Sequence, residues 1–371
     1  MRVLVTCDFL LKYAAAQAAA LAGAGEDVAL LCRTHAAEFG GDEGERRALL
    51  VELKRGGVKV FEMSGRFRSV AALPSMVRTR RMIKEWKPDV VHVHDNYDPR
   101  LLLLTRGFPH VLTIHDPSPH LGASELFGLR ARFRREWFKR ARNIVVHGER
   151  LRESLIAAKE TSVPVIVIPL GVSSWTSPLP VPDQPRVLFF GRLEPYKGLR
   201  VLIAAMDIVW RTCPKVKLVI AGWGSEAHLV PDVPRIEFRN EYVPEEQLEE
   251  LFAAASIAVL PYVDASQSAA GLETLRRGIP TIVTDVGSLP EIVDDAALVV
   301  PPDEPAALAR TILMHLDHDD VLRRRVLEYT RLRSSWEAVA SEHVALYSRL
   351  LVESGALPGA PKAVESRREL A

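Results

Sequence analysis

The chain has 371 residues, 48% of them hydrophobic and 26% charged, with a formal net charge of +1. That length points to two domains, and the balanced composition excludes a disordered or low-complexity protein. No stretch approaches the roughly 18 unbroken apolar residues of a membrane-crossing helix.

The charge is uneven. Residues 1–170 hold 27 Lys and Arg against 19 Asp and Glu, a surplus of eight; the remainder holds 21 against 28, a deficit of seven. The two halves therefore face different partners or attract one another across a cleft. No nucleic-acid-binding module accompanies the basic half, so no nucleic-acid partner is expected. The start, MRVLVTCDF, runs directly into a strand pattern without the layout of a secretory signal, and Cys7, Cys32 and Cys213 are scattered. Both features point to a reducing, cytoplasmic setting.

In chain order, the first half gives the apolar runs RVLVTC, DVALLC, VKVFEM, VVHVH, HVLTIH, NIVVHG and VIVIPLG, each followed by a helical stretch. Continuous β-branched strands alternating with helices indicate a parallel sheet covered on both faces. Between Gly171 and Arg186 the pattern breaks, and Pro178, Pro180, Pro182 and Pro185 mark an interdomain linker without regular structure. Alternation then restarts with RVLFFGR, VKLVIAGWG, IEFRNEY, IAVLPY, TIVTDVG and AALVVP. The expected architecture is α/β: two Rossmann-like, doubly wound parallel sheets that present the carboxyl ends of their strands to a shared cleft. The expected domains are 1–170 and 171–334. The tail at 356–371 is expected to fray.

Two stretches could carry chemistry. In Gly191-Arg192-Leu193-Glu194-Pro195-Tyr196-Lys197-Gly198 two cations follow a strand end around a proline turn. Arg192 can fork phosphate oxygens and Lys197 can add a point charge where a diphosphate departs. A solvated turn with incidental cations fits the same residues. In Ser266-Gln267-Ser268-Ala269-Ala270-Gly271-Leu272-Glu273 a polar turn opens a helix that Gly278 ends. Ser266 or Ser268 would cap it, and the free amides would suit donor phosphates. Glu273 would accept both hydroxyls of a ribose, or serve simply as a surface glutamate.

Taken in order, FGRLEPYKG, LVIAGWGSE and GLETLRRGIPTIVTDVGSLPEIV resemble retaining glycosyltransferase family four, of the GT-B fold. The segments VVHVH, HVLTIHD, ARNIVVHGERL and VIPLGV resemble that family's N-terminal domain. SSWEAVASEHVALYSRL resembles its closing helix, which over about 335–355 completes the first domain. The resemblance implies a metal-independent, hexosyl-type transferase that needs no cofactor, and a nucleotide-diphosphate sugar (UDP- or GDP-linked) as donor. It implies a carbohydrate, lipid-linked or small-molecule acceptor, and retention of anomeric configuration. Residue by residue, it implies Arg192 and Lys197 at the diphosphate and Glu273 at the ribose. Gly191, Gly222 and the loop around Ser266, Gln267, Ser268 and Gly271 would lie against sugar and phosphates. The edge at Glu241 and Tyr242, between Arg239 and Val243, would meet the base. His115 would sit near the reacting sugar; its plainer reading is a strand-end histidine satisfied by a backbone carbonyl.

Two departures stand out. The first glutamate of the family's pair falls at Ala265, and the turn is similar to a variant branch with a Gln-Ser segment, in which Gln267 takes over sugar contacts. The turn after the first strand lacks the family's glycines. Asp8, Lys12 and Tyr13, with His94, would therefore meet the acceptor through side chains; a plain helix N-terminal surface is the equal reading. Two relatives on the same fold remain open: a nucleotide-sugar isomerase or epimerase, and a non-catalytic sugar-nucleotide binder, which the change at Ala265 motivates.

His92, His94 and Asp95, with His115, Asp116 and His120, invite a metal reading, but two of them alternate with valines and no ligand spacing follows, so no metal is expected. Asp317-His318-Asp319 reads as a solvated turn. Residues 129–143 read as a basic helix with an apolar stripe of Leu129, Phe133, Trp137 and Ala141. The stripe would pack on the sheet, and the cations would be solvated or would attract an anionic membrane surface.

Overall fold

The computed structural model describes residues 1–7, 10–34, 42–64, 72–94, 98–116, 134–159, 161–172, 177–241, 243, 245–317 and 320–353. Asp8, Asp95, His120, residues 129–133, Tyr242, His318, Asp319 and the tail from 354 lie outside them.

Thirteen strands are described, and each apolar run of the sequence supplies one. They are β1 (Arg2–Thr6), β2 (Asp27–Arg33), β3 (Lys59–Met63), β4 (Val90–His94), β5 (His110–Thr113), β6 (Ala141–Val146) and β7 (Val165–Val167). After the proline-rich segment follow β8 (Arg186–Phe190), β9 (Lys217–Ala221), β10 (Ile236–Arg239), β11 (Ile257–Leu260), β12 (Thr281–Thr284) and β13 (Val299–Val300). Between the first seven run α1 (Leu11–Gly23), α2 (Glu43–Arg55), α3 (Leu73–Trp86), α4 (Pro99–Leu104) and α5 (Glu149–Ala157). The later helices are α6 (Leu199–Thr212), α7 (Glu245–Ala253), α8 (Ala269–Leu275), α9 (Pro305–His315), α10 (Asp320–Ser334) and α11 (Trp336–Glu353).

The strands form two sheets, ordered β3-β2-β1-β4-β5-β6-β7 and β10-β9-β8-β11-β12-β13, with parallel pairing throughout the recorded ladders. Both are doubly wound, as the alternation of elements predicts. Each begins at an inner strand, winds to one edge, then crosses back, so order reverses between β1 and β4 and again between β8 and β11. Loops leaving the carboxyl ends of those strand pairs diverge, and a ligand can lie between them. The topology thus singles out the segments after Thr6 and His94 in the first sheet, and after Phe190 and Leu260 in the second.

By its contacts the chain divides into two compact units: Met1–Val111 with Arg140–Arg142 and Val339–Ala371, and Leu112–Lys139 with Asn143–Ala338. In the first unit β4 is buried along its length, and its polar residues find partners there. His92 Nδ1 lies 2.6 Å from the hydroxyl of Tyr347 on α11, and His94 Nε2 lies 2.6 Å from Gln17 Oε1 on α1. The second unit is built on Phe189, Leu202, Met206, Ile220, Val259 and Ile282, all closed to solvent. The proline-rich stretch forms no helix or strand over 177–185, yet it is tied down. Leu179 N donates to Arg277 O at 3.1 Å, and buried Arg323 donates to the carbonyls of Leu179, Ala255 and Ser256 at 3.0, 2.7 and 3.1 Å. Burial lowers the pKa of that guanidinium to about 10.

Two sequence expectations are corrected. AALVVP is not all strand: Asp295 accepts from Ala297 N at 2.8 Å and winds Ala296–Leu298 into a 3-10 turn, leaving only Val299–Val300 for β13. The basic helix does not reach Asn143. It ends by residue 138, and Ala141 opens β6, whose ladder to β7 pairs Ile144 with Val165. Three of the described cations of this stretch turn inward or pair locally, while Arg135 and Arg142 are exposed: Arg134 donates to Asp116 O at 2.6 Å, Arg140 to Leu102 O at 2.6 Å, and Lys139 to Glu136 at 2.7 Å.

Candidate active site

At the carboxyl end of β8 the chain makes a sharp exit through Gly191, φ 133°, next to Gly222, φ 144°, at the end of β9. A Cβ on Gly222 would stand 1.9 Å from Gly191 O, so only glycine lets the two loops touch. Arg192 follows, exposed, its Nη2 donating to the Tyr196 hydroxyl at 3.3 Å. Pro195–Lys197 then form one 3-10 turn, and Gly198, φ 68°, starts α6. This turn is pressed against the end of β11: Val263 N donates to Tyr196 O at 2.9 Å, and a Cβ on Gly198 would meet Pro261 O at 1.8 Å.

The contact between the two loops sets the position of Lys197. Its ammonium lies 3.8 Å from the centroid of the Tyr262 ring and 4.9 Å from that of Tyr196. Among the described residues no carboxylate comes within ion-pair distance of Lys197 or Arg192. The Tyr262 side chain is fully buried, and its hydroxyl lies 3.2 Å from Ser268 Oγ. Ser268 is the N-cap of α8 and accepts from Gly271 N at 3.1 Å. Arg192, Lys197 and Ser268, from two distant stretches, are thereby linked through Tyr196 and Tyr262. A half-buried cation held by ring faces rather than by an acid remains available to an anion.

The other sequence-predicted residues are placed as follows. Ser266 is buried, and its carbonyl accepts from Ser288 N at 3.1 Å. Gln267 Nε2 donates to the backbone O of His147 at 2.8 Å. Glu273 turns to its own helix end: its Oε2 accepts from Arg276 Nε at 2.8 Å and from Arg277 Nη1 at 2.7 Å. Arg277 is itself buried, lies over the Phe252 ring and also binds Glu249, whose pKa that arginine lowers. Glu241 is exposed just beyond β10, and Gly222 N donates to Arg239 O at 3.0 Å, which closes the same strand ends.

His115 follows β5, with its Nδ1 3.0 Å from Nε2 of His147 at the end of β6. In the first unit Lys12 pairs with Glu45 at 2.6 Å, and Tyr13 stands edge-on to His94 at 5.5 Å between centroids. In the glycine-free turn there, Leu10 adopts φ 68°, a left-handed conformation that costs a non-glycine residue about 1 kcal/mol. Sequence reasoning missed Tyr262, Tyr196 and His147. The first and the last each close a continuous apolar strand-end run, so neither carries a local signal. Among the described residues no group of three or more His, Cys, Asp or Glu could hold a metal ion, and no helix is long and apolar enough to cross a membrane.

Residues 12–174 match the family model Glycosyltransferase Family 4, and residues 184–318 match the model Glycosyl transferases group 1. The O-antigen chain mannosyltransferase B of Escherichia coli is 30% identical over 178 residues, 45% of this chain and 46% of that protein. The phosphatidyl-myo-inositol mannosyltransferase of Mycobacterium leprae is 28% identical over 291 residues, 73% and 76% of the two chains. With the first of these relatives the likeness thus spans less than half of the relative's length. Among solved structures, Anabaena Alr3699/HepE in complex with UDP-glucose superposes with a TM-score of 0.70 at 16% identity, covering 94% of this chain and 100% of that one. The fold is GT-B, and each half of the chain matches a glycosyltransferase family model.

Proposed function

We propose that this chain, of the family-four glycosyltransferase type, moves a sugar from a nucleoside-diphosphate donor to an acceptor hydroxyl with retention of anomeric configuration. One observation carries the reading: Arg192 and Lys197 stand at the reversal point of the second sheet, linked through Tyr196 and Tyr262 to the cap of α8, with no carboxylate at ion-pair distance among the described residues. Their charge is thereby left for a ligand, and a diphosphate leaving group is the ligand such a pair suits. Relatives support the donor class, since the Anabaena structure holds UDP-glucose and the E. coli protein is named for mannosyl transfer.

In this mechanism the bond from the sugar's anomeric carbon to the diphosphate oxygen breaks as the acceptor oxygen bonds to the same face of that carbon. The acceptor's proton passes to the departing phosphate. Arg192 and Lys197 neutralise the charge that develops there. Glu273 holds the ribose, His115 contacts the reacting sugar, and no metal takes part.

The test is incubation with UDP-, GDP- and ADP-sugars, with and without candidate acceptors, followed by NMR of the products. Transfer with retained configuration is expected. A new sugar nucleotide formed from donor alone would assign an isomerase instead, and binding without turnover would assign a non-catalytic relative.

A further inference from the structure

The apolar side chains at the start of α3 lie on one exposed stripe. At about 100° per residue, Leu73, Val77, Arg81 and Lys84 fall within roughly 80° of arc, and the buried Thr79 and Ile83 lie on the other side of the helix. Leu73 is 53% exposed and Val77 69%, whereas a surface helix ordinarily turns such residues to the core.

The stripe continues onto α4. Arg80 donates from Nη1 to Leu104 O and from Nη2 to Arg106 O, the latter at 2.8 Å, and its guanidinium lies 5.8 Å from the centroid of the Phe108 ring. These bonds pin the end of α4 beside α3, and Leu103, the residue before Leu104, is 58% exposed.

Cations rim these three apolar residues. Residues 73–87 hold five Lys and Arg against one acid, Glu85, with which Arg81 pairs at 2.7 Å. Lys84, Lys87 and Arg106 are exposed, and among the described residues no carboxylate comes within ion-pair distance of them. The Arg106 charge adds to burial in lowering the pKa of Arg80, which places it in the same cluster.

Part of the positive surplus of residues 1–170 thus gathers where large apolar side chains meet solvent. An anionic bilayer surface answers both features: headgroup phosphates take the cationic rim, and the boundary with the acyl chains takes the apolar side chains. A crossover helix in a parallel sheet starts at the carboxyl end of the strand before it. Leu73 and Val77 therefore stand at the carboxyl side of the first sheet, where the strand order reverses.

We propose that α3 and the end of α4 form a docking surface for anionic lipid, with Leu73, Val77 and Leu103 at the headgroup boundary and Lys84, Lys87 and Arg106 on headgroup phosphates. This surface, rather than the basic stretch at 129–143, carries the attraction to a membrane. It does not depend on the glycosyl-transfer reading.

The test is co-sedimentation of the full chain with vesicles, one set of phosphatidylcholine and one of equal parts phosphatidylcholine and phosphatidylglycerol. Wild type should bind the anionic vesicles, bind the neutral ones about tenfold or more weakly, and be released by molar salt. Leu73→Ser/Val77→Ser/Leu103→Ser and, separately, Lys84→Glu/Arg106→Glu should each weaken binding to anionic vesicles about tenfold or more. Both variants should melt close to wild type, since all five side chains are exposed. Wild type that stays in the supernatant with anionic vesicles would overturn the proposal, as would a serine variant that binds like wild type. A dimer that the serine variant dissolves, with no vesicle binding, would assign the surface to a second copy of the chain instead.

Discussion

The ammonium of Lys197 rests 3.8 Å from the centre of the Tyr262 ring, which ties the turn after β8 to the end of β11. Nothing in the hydrophobic core depends on this cation, since its ring partners are held by their own packing and hydrogen bonds. Lys197→Ala should therefore lower turnover by about a hundredfold or more, the scale for losing one group that stabilises developing charge. Its thermal unfolding midpoint should stay close to that of wild type. Wild-type turnover would remove Lys197 from the mechanism.

Gly198 is the point where the turn bearing Lys197 meets the chain after β11. A methyl there would collide with the Pro261 carbonyl and also sit at φ 68°. Gly198→Ala should destabilise the protein by about 3 kcal/mol or more in urea unfolding. Gly57→Ala is the control: φ there is 88° but nothing lies within 4 Å of the added atom. It should lose only about 1 kcal/mol, the conformational cost alone. Equal losses would mean that the contact with Pro261 contributes nothing.

His110 is buried beside Arg140, and burial first, then that positive charge, lowers its pKa to about 4. Its Nε2 donates to Thr105 Oγ1 at 2.9 Å, because that hydroxyl spends its own proton on Leu101 O at 2.7 Å. Between the ordinary value of 6.5 and about 4, the unfolded chain binds a proton that the native one does not. The stability from His110 is thus complete above pH 6.5 and lost as pH falls toward 4. Between pH 7.5 and 5, His110→Gln should lose about 2 kcal/mol less than wild type in urea unfolding. Parallel pH profiles would contradict the assignment.

Glu291 caps a helix from a distant part of the chain. Its two carboxylate oxygens accept from Glu149 N and Arg150 N at 2.8 and 3.1 Å, at the start of α5, where the N-cap residue Gly148 has no side chain to do so. Glu291→Ala should cost about 1–2 kcal/mol and release amide-exchange protection at those two residues. Unchanged exchange there would refute the cap.

The sheets were legible because each strand is a continuous β-branched run, a pattern that burial on both faces requires. The limits were local. Asp295 turns a strand-like AAL into a 3-10 turn through one side-chain bond, and a stripe of four-residue period through Ala141 does not reveal that Ala141 already belongs to β6. At the candidate site, Arg192, Lys197 and Ser268 carry their own signals of charge and capping. Tyr262 and His147 do not, because each matters through a neighbour that only topology supplies: β11 beside β8, and β6 beside β5.

The central claim is that the cations at 192 and 197 receive a nucleoside diphosphate. Calorimetric titration of UDP, GDP and ADP into wild type, Arg192→Ala and Lys197→Ala tests it directly. At least one nucleotide should bind wild type, and each substitution should weaken that binding by about tenfold or more. Binding by none of the three nucleotides, or unchanged affinity in both variants, would contradict it.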